Sequence, residues 1–519
     1  MTGSGETRVK EGQFMKQTIC GQENLPARRS GLMKAIAFFG ALAGTLHPGG
    51  TQTAWAENMT AISDSGIPPE ILSVDQAVDF ALKHHPKLGW FRHRVGRKNA
   101  HVKVSRSHFY PHVGAGALYG ESNPGLGNQS FNNMNFMTPI FPMDYSKMGS
   151  ISSSNEPLGV ASIGVNQLLL DFGKFEHRVK ERLAGKKASE YWLYSKDAWV
   201  ILQVKEAYYR VLLDKKLIEV YQKNLDQRKL VMDLTRSLYK ADYRSRLDFD
   251  LARVDYEKAR ALLEFEKEDL EARISHLNDV MGLGQAGRGD YTLTTSLSGL
   301  SPDQAQEPVS RDLAITRGLT YRPEINAYRM LFRQEREKAS FEKAQHYPLI
   351  SAFGSYGFMG NMTTGQSYAP GGGWWSGGGS LTIPIYTGGM IRGLTEAARE
   401  KSRERQYGIS DWSHNIRDQV VQARAHVLAD RASVRAYAEA VKEADLALVL
   451  ATKRYTANLV SIVDLTLAEV YLLDTEAALA TWQYREQADL ATLRFAEGVD
   501  YLEYLPDVRK KVEGRLATK

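Results

Sequence analysis

The sequence is poor in cysteine and has no long hydrophobic run. Its single cysteine, Cys20 among 519 residues, can form no intrachain disulfide, CxxC redox motif or cysteine-based zinc site. No stretch supplies the about 20 consecutive apolar residues of a membrane-spanning helix, which excludes a polytopic helical membrane protein. The charges, 66 Lys and Arg against 60 Asp and Glu, are interspersed, and this argues against a nucleic-acid partner.

The N-terminal residues have the organisation of a secretory signal peptide. Arg28 and Arg29 precede a short apolar run, 35–46, and Ala54-Trp55-Ala56 stands immediately before Glu57. A basic lead, a short apolar core and an Ala-x-Ala end are typical of a cleaved export signal. We therefore expect residues 1–56 to be removed and the mature chain to begin near Glu57. The alternative is a buried N-terminal helix.

Comparison of the sequence with itself indicates that the chain contains two copies of one domain. Pro86 and Pro323 have similar surroundings, and at this offset of 237 positions the pair Tyr110-Pro111 falls on Tyr347-Pro348. Further along, the offset is 216 positions and matches Gly173 with Gly389, Tyr239 with Tyr455, and Gly282 with Gly498. A period of this size indicates domain duplication rather than a solenoid. We predict repeats at 57–283 and 309–505, a linker at 284–308 and a tail at 506–519.

Each repeat contains a seven-residue apolar period typical of helices that pack as coiled coils. No proline interrupts residues 173–241, so one helix of nearly 70 residues would be about 100 Å long at about 1.5 Å per residue. Such a helix must pack in a bundle of similar length. Shorter helices are predicted at 74–106 and 247–281. The seam residues are Val204, Val211, Ile218, Leu225, Met232 and Tyr239, with Val420, Val427, Val434, Val441, Leu448 and Tyr455 as their counterparts.

The segments before the long helices alternate between apolar and small or polar residues. This two-residue period predicts strands, and it fits both a membrane β-barrel and a sheet with one wet face. Polar or glycine-rich loops are predicted at 121–158 and 360–378, with Trp374 and Trp375 either at a lipid headgroup boundary or packed within the loop. The apolar members are Val113, Ala115, Ala117 and Tyr119; Ala161, Ile163 and Val165; and Leu381, Ile383 and Ile385, while the strand at 350–358 alternates less cleanly.

Together these motifs resemble the TolC-like outer-membrane efflux channels. The resemblance rests on the repeated opening around Pro86 and Pro323, the Tyr-Pro before a strand, and the strand that runs into glycine and a long helix, LLLDFG at 168–173 and PIYTGG at 384–389. It implies a mainly α protein with a small β part, in which a duplicated coiled-coil domain contributes four strands per protomer. Three protomers would form a 12-stranded outer-membrane β-barrel continuous with a periplasmic α-helical tunnel.

The resemblance also implies partners and a location. A chain of this kind is a homotrimer in outer-membrane lipid that works with a periplasmic adaptor and an inner-membrane pump of the RND or ABC type. No Ser/His/Asp set, carboxylate pair or metal-ligand spacing predicts an enzyme, a cofactor or a metal site. The alternative from another class is a secreted coiled-coil structural or adhesive protein without a pore.

The candidate site is the pair of turns between the long helices, which the resemblance places at the periplasmic entrance. Asp242 and Asn458 are predicted to adopt the left-handed conformation that ends a helix. Asp248 and Asp464 would either ring the entrance and favour cations or cap the returning helices. The remaining candidates are Tyr239 and Tyr455, which end the two seams, and Arg244 and Arg246, which we expect to supply a basic partner because Val460 and Leu467 replace charged residues found in some family members.

Overall fold

The computed structural model describes residues 71–121, 157–283, 291–293, 309–361 and 373–517. The predicted signal peptide lies outside these ranges, as does most of the predicted linker. The chain divides into two compact units, of which one comprises 1–58, 115–163 and 355–376, and the other comprises 59–114, 164–354 and 377–519. Among the described residues, no helix combines the length and the apolar character that crossing a membrane requires.

The described chain is mainly helical, with one four-stranded sheet in the order β2-β3-β5-β6 and one short parallel pair, β1 with β4. The strands are β1 (Ile71–Leu72), β2 (His112–Glu121), β3 (Pro157–Leu170), β4 (Thr292–Leu293), β5 (Leu349–Asn361) and β6 (Trp374–Thr382). The helices are α1 (Val74–His84), α2 (Pro86–Ser107), α3 (Lys174–Lys240), α4 (Arg246–Met281), α5 (Arg311–Tyr321), α6 (Pro323–Ala344), α7 (Met390–Thr456), α8 (Ile462–Glu497), α9 (Asp500–Tyr504) and α10 (Pro506–Ala517).

The described part of the first unit contains the strand segments at 115–121, 157–163, 355–361 and 374–376. Within it, the Ser355 and Ser376 hydroxyl oxygens lie 2.7 Å apart across β5 and β6. Gly357 is needed for close strand approach, because a Cβ there would lie 2.7 Å from the Ala161 carbonyl oxygen and 2.8 Å from ring carbons of Trp374.

The long helices of the second unit confirm the sequence prediction. Helices α3 and α7 each have 67 residues, and each follows a glycine with a left-handed backbone, Gly173 (φ 85°) and Gly389 (φ 82°). Glycine adopts this conformation without steric cost. The long helix therefore starts in the same way at both junctions, although Gly173 follows the end of β3 by three residues and Gly389 follows the end of β6 by seven.

Four boundary predictions were wrong. The single helix expected at 74–106 is two helices, because Pro86 disfavours helical geometry at the preceding residue, and His85 is extended (φ −62°, ψ 121°). Strand β6 begins at Trp374, so both tryptophans lie in a strand rather than in a loop. It also ends at Thr382, which leaves Ile383 and Ile385 beyond it. Finally, β2 extends to Glu121 and β3 begins at Pro157, inside the predicted loop.

The same packing junction occurs once in each repeat. Gly282 ends α4 with φ 84°, and a Cβ there would lie 2.8 Å from the His85 Cα atom. Gly498 ends α8 with φ 69°, and a Cβ there would lie 2.8 Å from the Arg322 backbone nitrogen. His85 and Arg322 each immediately precede the proline that begins the next helix. The helix end and the proline break therefore pack directly on each other in both repeats.

The heptad seam is buried to different extents in the two repeats. In α7 the seam residues Val420 and Val427 are fully buried, and Tyr455 at the end is 1% exposed. In α3 the seam is buried at Val204 and Val211, becomes half-buried from Ile218 onward, and ends at Tyr239 with 38% exposure. The predicted seam is therefore buried at five of its six residues in α7 but only at its first two in α3.

Candidate functional site

The first turn ends α3 with two backbone hydrogen bonds that close it tightly. Asp242 has a left-handed backbone (φ 61°). Its N–H donates to the Tyr239 carbonyl over 3.1 Å, and the Tyr243 N–H donates to the Leu238 carbonyl over 2.9 Å. This pair of bonds is the Schellman arrangement. The left-handed prediction for Asp242 is confirmed, and an aspartate tolerates this conformation better than most residues.

The second turn repeats this geometry. Asn458 also has φ 61°; its N–H donates to the Tyr455 carbonyl over 3.0 Å, and the Leu459 N–H donates to the Arg454 carbonyl over 2.9 Å. Because both turns close within five or six residues, the helices on either side run back along each other as hairpins. We call α3 with α4 the first hairpin and α7 with α8 the second hairpin.

The two predicted acidic residues differ in their local contacts. Ser461 caps α8: its hydroxyl accepts the Asp464 N–H over 3.2 Å, while the Asp464 carboxylate accepts the Ser461 N–H over 2.9 Å and its hydroxyl over 2.7 Å. These bonds stabilise the ionised form and hold the pKa of Asp464 below its usual value. In α4, Ser245 accepts the Asp248 N–H over 3.2 Å, and no donor to the Asp248 carboxylate is found in the described chain. Asp464 is therefore part of a helix cap, and Asp248 is not held in this way.

Arg244 connects the two turns. Its Nη2 donates to the Tyr455 carbonyl over 3.2 Å and to the Val460 carbonyl over 3.0 Å. Its guanidinium also lies over the Tyr455 ring, 4.4 Å from the centroid, where the ring's negative face attracts a cation. The contacts of Arg244 are thus carbonyls and a ring rather than a carboxylate. Arg246 stays on its own helix, 3.6 Å from Asp250 and largely exposed.

The two tyrosines that end the seams have different surroundings. Tyr455 is buried, and its hydroxyl lies 3.2 Å from the Thr235 hydroxyl of the first hairpin. Tyr239 is partly exposed and stacks on Phe249, with 6.3 Å between the ring centroids. The structure therefore brings Arg244, Tyr455 and Thr235 together across the two hairpins, whereas Tyr239 contacts only the first hairpin through this stack.

Sequence reasoning missed the buried charges behind the turns. Arg228 of α3 is 7% exposed, and its Nη1 lies 3.3 Å from Asp255 of α4 and 3.3 Å from Glu469 of α8. Asp255 follows Asp248 by seven residues, a spacing that places both on the same face of α4. Charged residues inside a long helix ordinarily indicate a solvated face, so nothing in the sequence indicated that these side chains are buried.

One other group of side chains has the composition of a cation site. Oxygens of Asp214, Glu266 and Asp269 lie within 4.8 Å of one another. Two guanidiniums already contact this group: Arg210 Nε lies 3.1 Å from Asp214, and Arg273 Nη2 lies 3.0 Å from Asp269. Because these arginines neutralise two of the three negative charges, we assign no metal ion to this group.

The family model described as "Outer membrane efflux protein" matches residues 77–282 and 315–499. "Nodulation protein T" of Rhizobium leguminosarum bv. trifolii is 25% identical over 359 residues, which are 67% of this chain and 73% of that protein. "Alkaline protease secretion protein AprF" of Pseudomonas aeruginosa is 24% identical over 351 residues, 66% of this chain and 69% of that protein.

A solved structure supports the same architecture. The Campylobacter jejuni CmeC outer membrane channel superposes with a TM-score of 0.70 at 16% sequence identity, covering 84% of this chain and 88% of that one. At this identity the likeness concerns the fold alone. Each of the two matched segments includes one long hairpin.

Proposed function

The chain belongs to the outer membrane efflux protein family, and from that membership we propose that three copies form a passive exit duct across the outer membrane and periplasm. The duct works with an inner-membrane pump of the RND or ABC type and a periplasmic adaptor. Efflux and type I secretion both need such a conduit, so the proposed duct is common to both kinds of system. The repeats at 57–283 and 309–505 would each supply two strands and one hairpin.

The observation that carries this proposal is the apolar face of the strands. Val113, Ile163 and Leu381 are exposed by 67%, 51% and 61%, whereas Gly164, between two apolar neighbours, is buried. A water-soluble sheet buries its apolar face, but a barrel in lipid turns that face outward. The alternation therefore favours strands that contact the membrane over a sheet with one wet face.

Sheet closure supports the trimer. With the order β2-β3-β5-β6, the strands β2 and β6 are the two edges of the sheet. An open edge leaves backbone N–H and C=O groups unpaired, and lipid offers them no hydrogen-bond partner. Pairing β2 of one copy with β6 of the next closes the sheet, and three copies of four strands give 12. Such a head-to-tail contact forms a ring when its rotation closes.

The hairpins carry exposed apolar stripes that another copy would cover. On α8, Val463, Leu467 and Tyr471 follow each other at four-residue spacing and are 63%, 49% and 58% exposed. On α4, Leu247 and Val254 are seven residues apart and 65% and 49% exposed. These stripes lie on different hairpins, which is what a head-to-tail ring requires.

The two turns would form the closed entrance of the tunnel. Three copies of Asp248 and Asp464 place six carboxylates around one axis, and such a ring attracts cations and repels anions. Arg244 would hold the turns together through Tyr455, with Asp242 and Asn458 setting the turn geometry and Tyr239 and Arg246 on the outer side of the first turn. Capping by Asp464 is compatible with this role, because its carboxylate stays ionised and exposed.

Light scattering in mild detergent tests the assembly, and planar bilayers test the duct. The expected particle contains three chains of 58.1 kDa each, less the signal peptide, and it conducts ions in a bilayer. A stable monomer would contradict the shared barrel. A trimer that never conducts would instead favour a coiled-coil structural protein.

A further inference from the structure

A buried ion triad joins the two hairpins at some distance from the turns. Arg228 Nη1 lies 3.3 Å from an oxygen of Asp255 and 3.3 Å from an oxygen of Glu469. Arg228 and Asp255 belong to the first hairpin, whereas Glu469 belongs to the second. The side chains of Arg228, Asp255 and Glu469 are 7%, 21% and 2% exposed, respectively. The Arg228–Glu469 contact, which joins the hairpins, is therefore the more buried of the two contacts in the triad.

The triad lies farther from the turns than three other contacts between the hairpins. Arg228 precedes the end of α3 by twelve residues, about 18 Å at about 1.5 Å per residue. Between it and the turn, Val231 packs in an apolar cluster with Leu448 and Leu465 of the second hairpin, and Thr235 meets the Tyr455 hydroxyl. Arg244 then bridges the turns themselves. Hairpins that separate at the turns can do so fully only if the triad also breaks.

Of the two ion contacts in the triad, Arg228–Glu469 has the fewer neighbouring polar contacts. Oε1 of Glu469 is buried and has no hydrogen-bond partner in the described part of the chain. Burial raises the pKa of Glu469 to about 7 although Arg228 attracts its charge. Asp255 lies 3.7 Å from Lys258 of its own helix, and Thr466 of the second hairpin donates to it over 3.4 Å. Because Arg228 and Asp255 both belong to the first hairpin, separation of the hairpins leaves their contact intact, whereas Glu469 gains water.

We propose that Arg228 is a positioning residue for the entrance, holding the closed conformation by sharing its guanidinium between Asp255 of the first hairpin and Glu469 of the second. Opening breaks the Arg228–Glu469 contact and retains the Arg228–Asp255 contact. The inference rests on the proposed duct, because only in a duct does separation of the hairpins open a passage.

The chain supplies a matched control. Arg431 of α7 and Glu486 of α8 form a comparable buried pair, with Nε 3.0 Å from Oε1 and side chains 10% and 2% exposed. This pair lies entirely within the second hairpin. Its disruption perturbs a buried arginine–glutamate contact without touching the connection between hairpins.

The test compares full-length Glu469→Gln, Asp255→Asn and Glu486→Gln with the unmodified protein. Each variant removes one charge and keeps the side-chain size. Conductance in planar bilayers at about pH 8, where Glu469 is ionised, should rise about tenfold at rest in Glu469→Gln, since breaking one coupling contact shifts a closed population by this order. The fully open conductance should stay the same. Glu486→Gln should leave the resting conductance unchanged, whereas Asp255→Asn, which removes the other carboxylate of the triad and alters its contact with Thr466 of the second hairpin, should raise it as well.

Hydrogen exchange on the detergent-solubilised protein separates failure of this inference from failure of the duct. In Glu469→Gln, peptides covering 229–245 and 455–468 should exchange faster, and in Glu486→Gln they should not. If the unmodified protein never conducts, the duct is wrong, but the exchange result still tests the connection. Equal exchange in both variants, or faster exchange without a rise in resting conductance, would overturn the role assigned to Arg228.

Discussion

Arg244 of the first turn lies over the ring of Tyr455 of the second hairpin, 4.4 Å from the centroid, and donates to the Tyr455 carbonyl over 3.2 Å. One side chain thus binds both the ring and the backbone of one residue. The Tyr455 carbonyl already accepts the Asn458 N–H over 3.0 Å, so Arg244 is its second donor, and the same guanidinium also donates to the Val460 carbonyl over 3.0 Å. The connection between the turns therefore depends on Arg244 rather than on a pair of opposite charges.

Replacing Arg244 should loosen the turns. Arg244→Gln loses two charge-assisted hydrogen bonds and the ring contact. We therefore expect the free energy of unfolding to fall by about 1–3 kcal/mol, with a lower melting temperature and a higher resting conductance. Arg246→Gln is the control, because the ion pair of Arg246 in the described part of the chain is with Asp250 of its own helix. Equal effects of the two variants would show that charge near the turn, and not the bridge, is what matters.

The acidic residues at the turns should determine ion selectivity. We expect Asp248→Asn combined with Asp464→Asn to reduce the preference for cations and the block by multivalent cations, because six charges disappear from the proposed trimer. Reversal potentials in a salt gradient measure the first effect. Ser461→Ala is the control, because it removes the capping hydroxyl and keeps the charge. Unchanged selectivity in the double variant would limit both residues to a structural role.

Gly498 should tolerate alanine far less well than Gly389. Both have positive φ, which costs a residue with a Cβ about 1–2 kcal/mol. At Gly498 the new Cβ would also lie 2.8 Å from the Arg322 nitrogen, whereas at Gly389 nothing lies within 4 Å. Denaturant unfolding should therefore show a loss above about 2 kcal/mol for Gly498→Ala and about 1 kcal/mol for Gly389→Ala. Similar losses would mean that Gly498 relaxes away from Arg322.

Stability should fall as pH rises toward 7 because of Asp430. Burial, the hydrogen bond with Asp489 and the nearby Glu486 raise the pKa of Asp430 from 3.8 to about 7, against the attraction of Arg485. Between these two pH values the folded chain binds a proton that the unfolded chain has lost, so unfolding releases it and stability decreases with rising pH. Above about 7 the contribution of this residue no longer changes.

Melting temperatures measured from about pH 5 to about pH 8 should therefore decline, and Asp430→Asn should flatten part of the decline. Asp197 and Glu469, whose pKa values burial also raises to about 7, would account for much of the rest. Glu439→Gln is the control, because the Glu439 side chain is 72% exposed. An unaltered slope in Asp430→Asn would mean that the folded chain holds no proton at that site.

The features that the sequence predicted correctly are those encoded over a few residues. The absence of proline and the heptad period predicted the two long helices, because both signals can be read over a few neighbouring residues without knowing the tertiary structure. Asp242 and Asn458 stand where a helix must reverse, and few residues other than glycine tolerate that backbone. At His85 the helical pattern of 74–106 competed with the steric effect of Pro86 on the residue before it. The steric effect prevailed, and it divides the predicted helix in two.

The contacts that connect the hairpins were decided only by tertiary structure. Arg228 and Glu469 are 241 positions apart, and no periodicity relates two charges on different helices. Their burial depends on how α3 and α8 pack, just as the exposure of Tyr239 and the burial of Tyr455 depend on which neighbour covers each seam. The sequence by itself determined the helices, the turns and the repeated halves, because backbone sterics and side-chain period are local; which charges are buried together was decided by long-range packing.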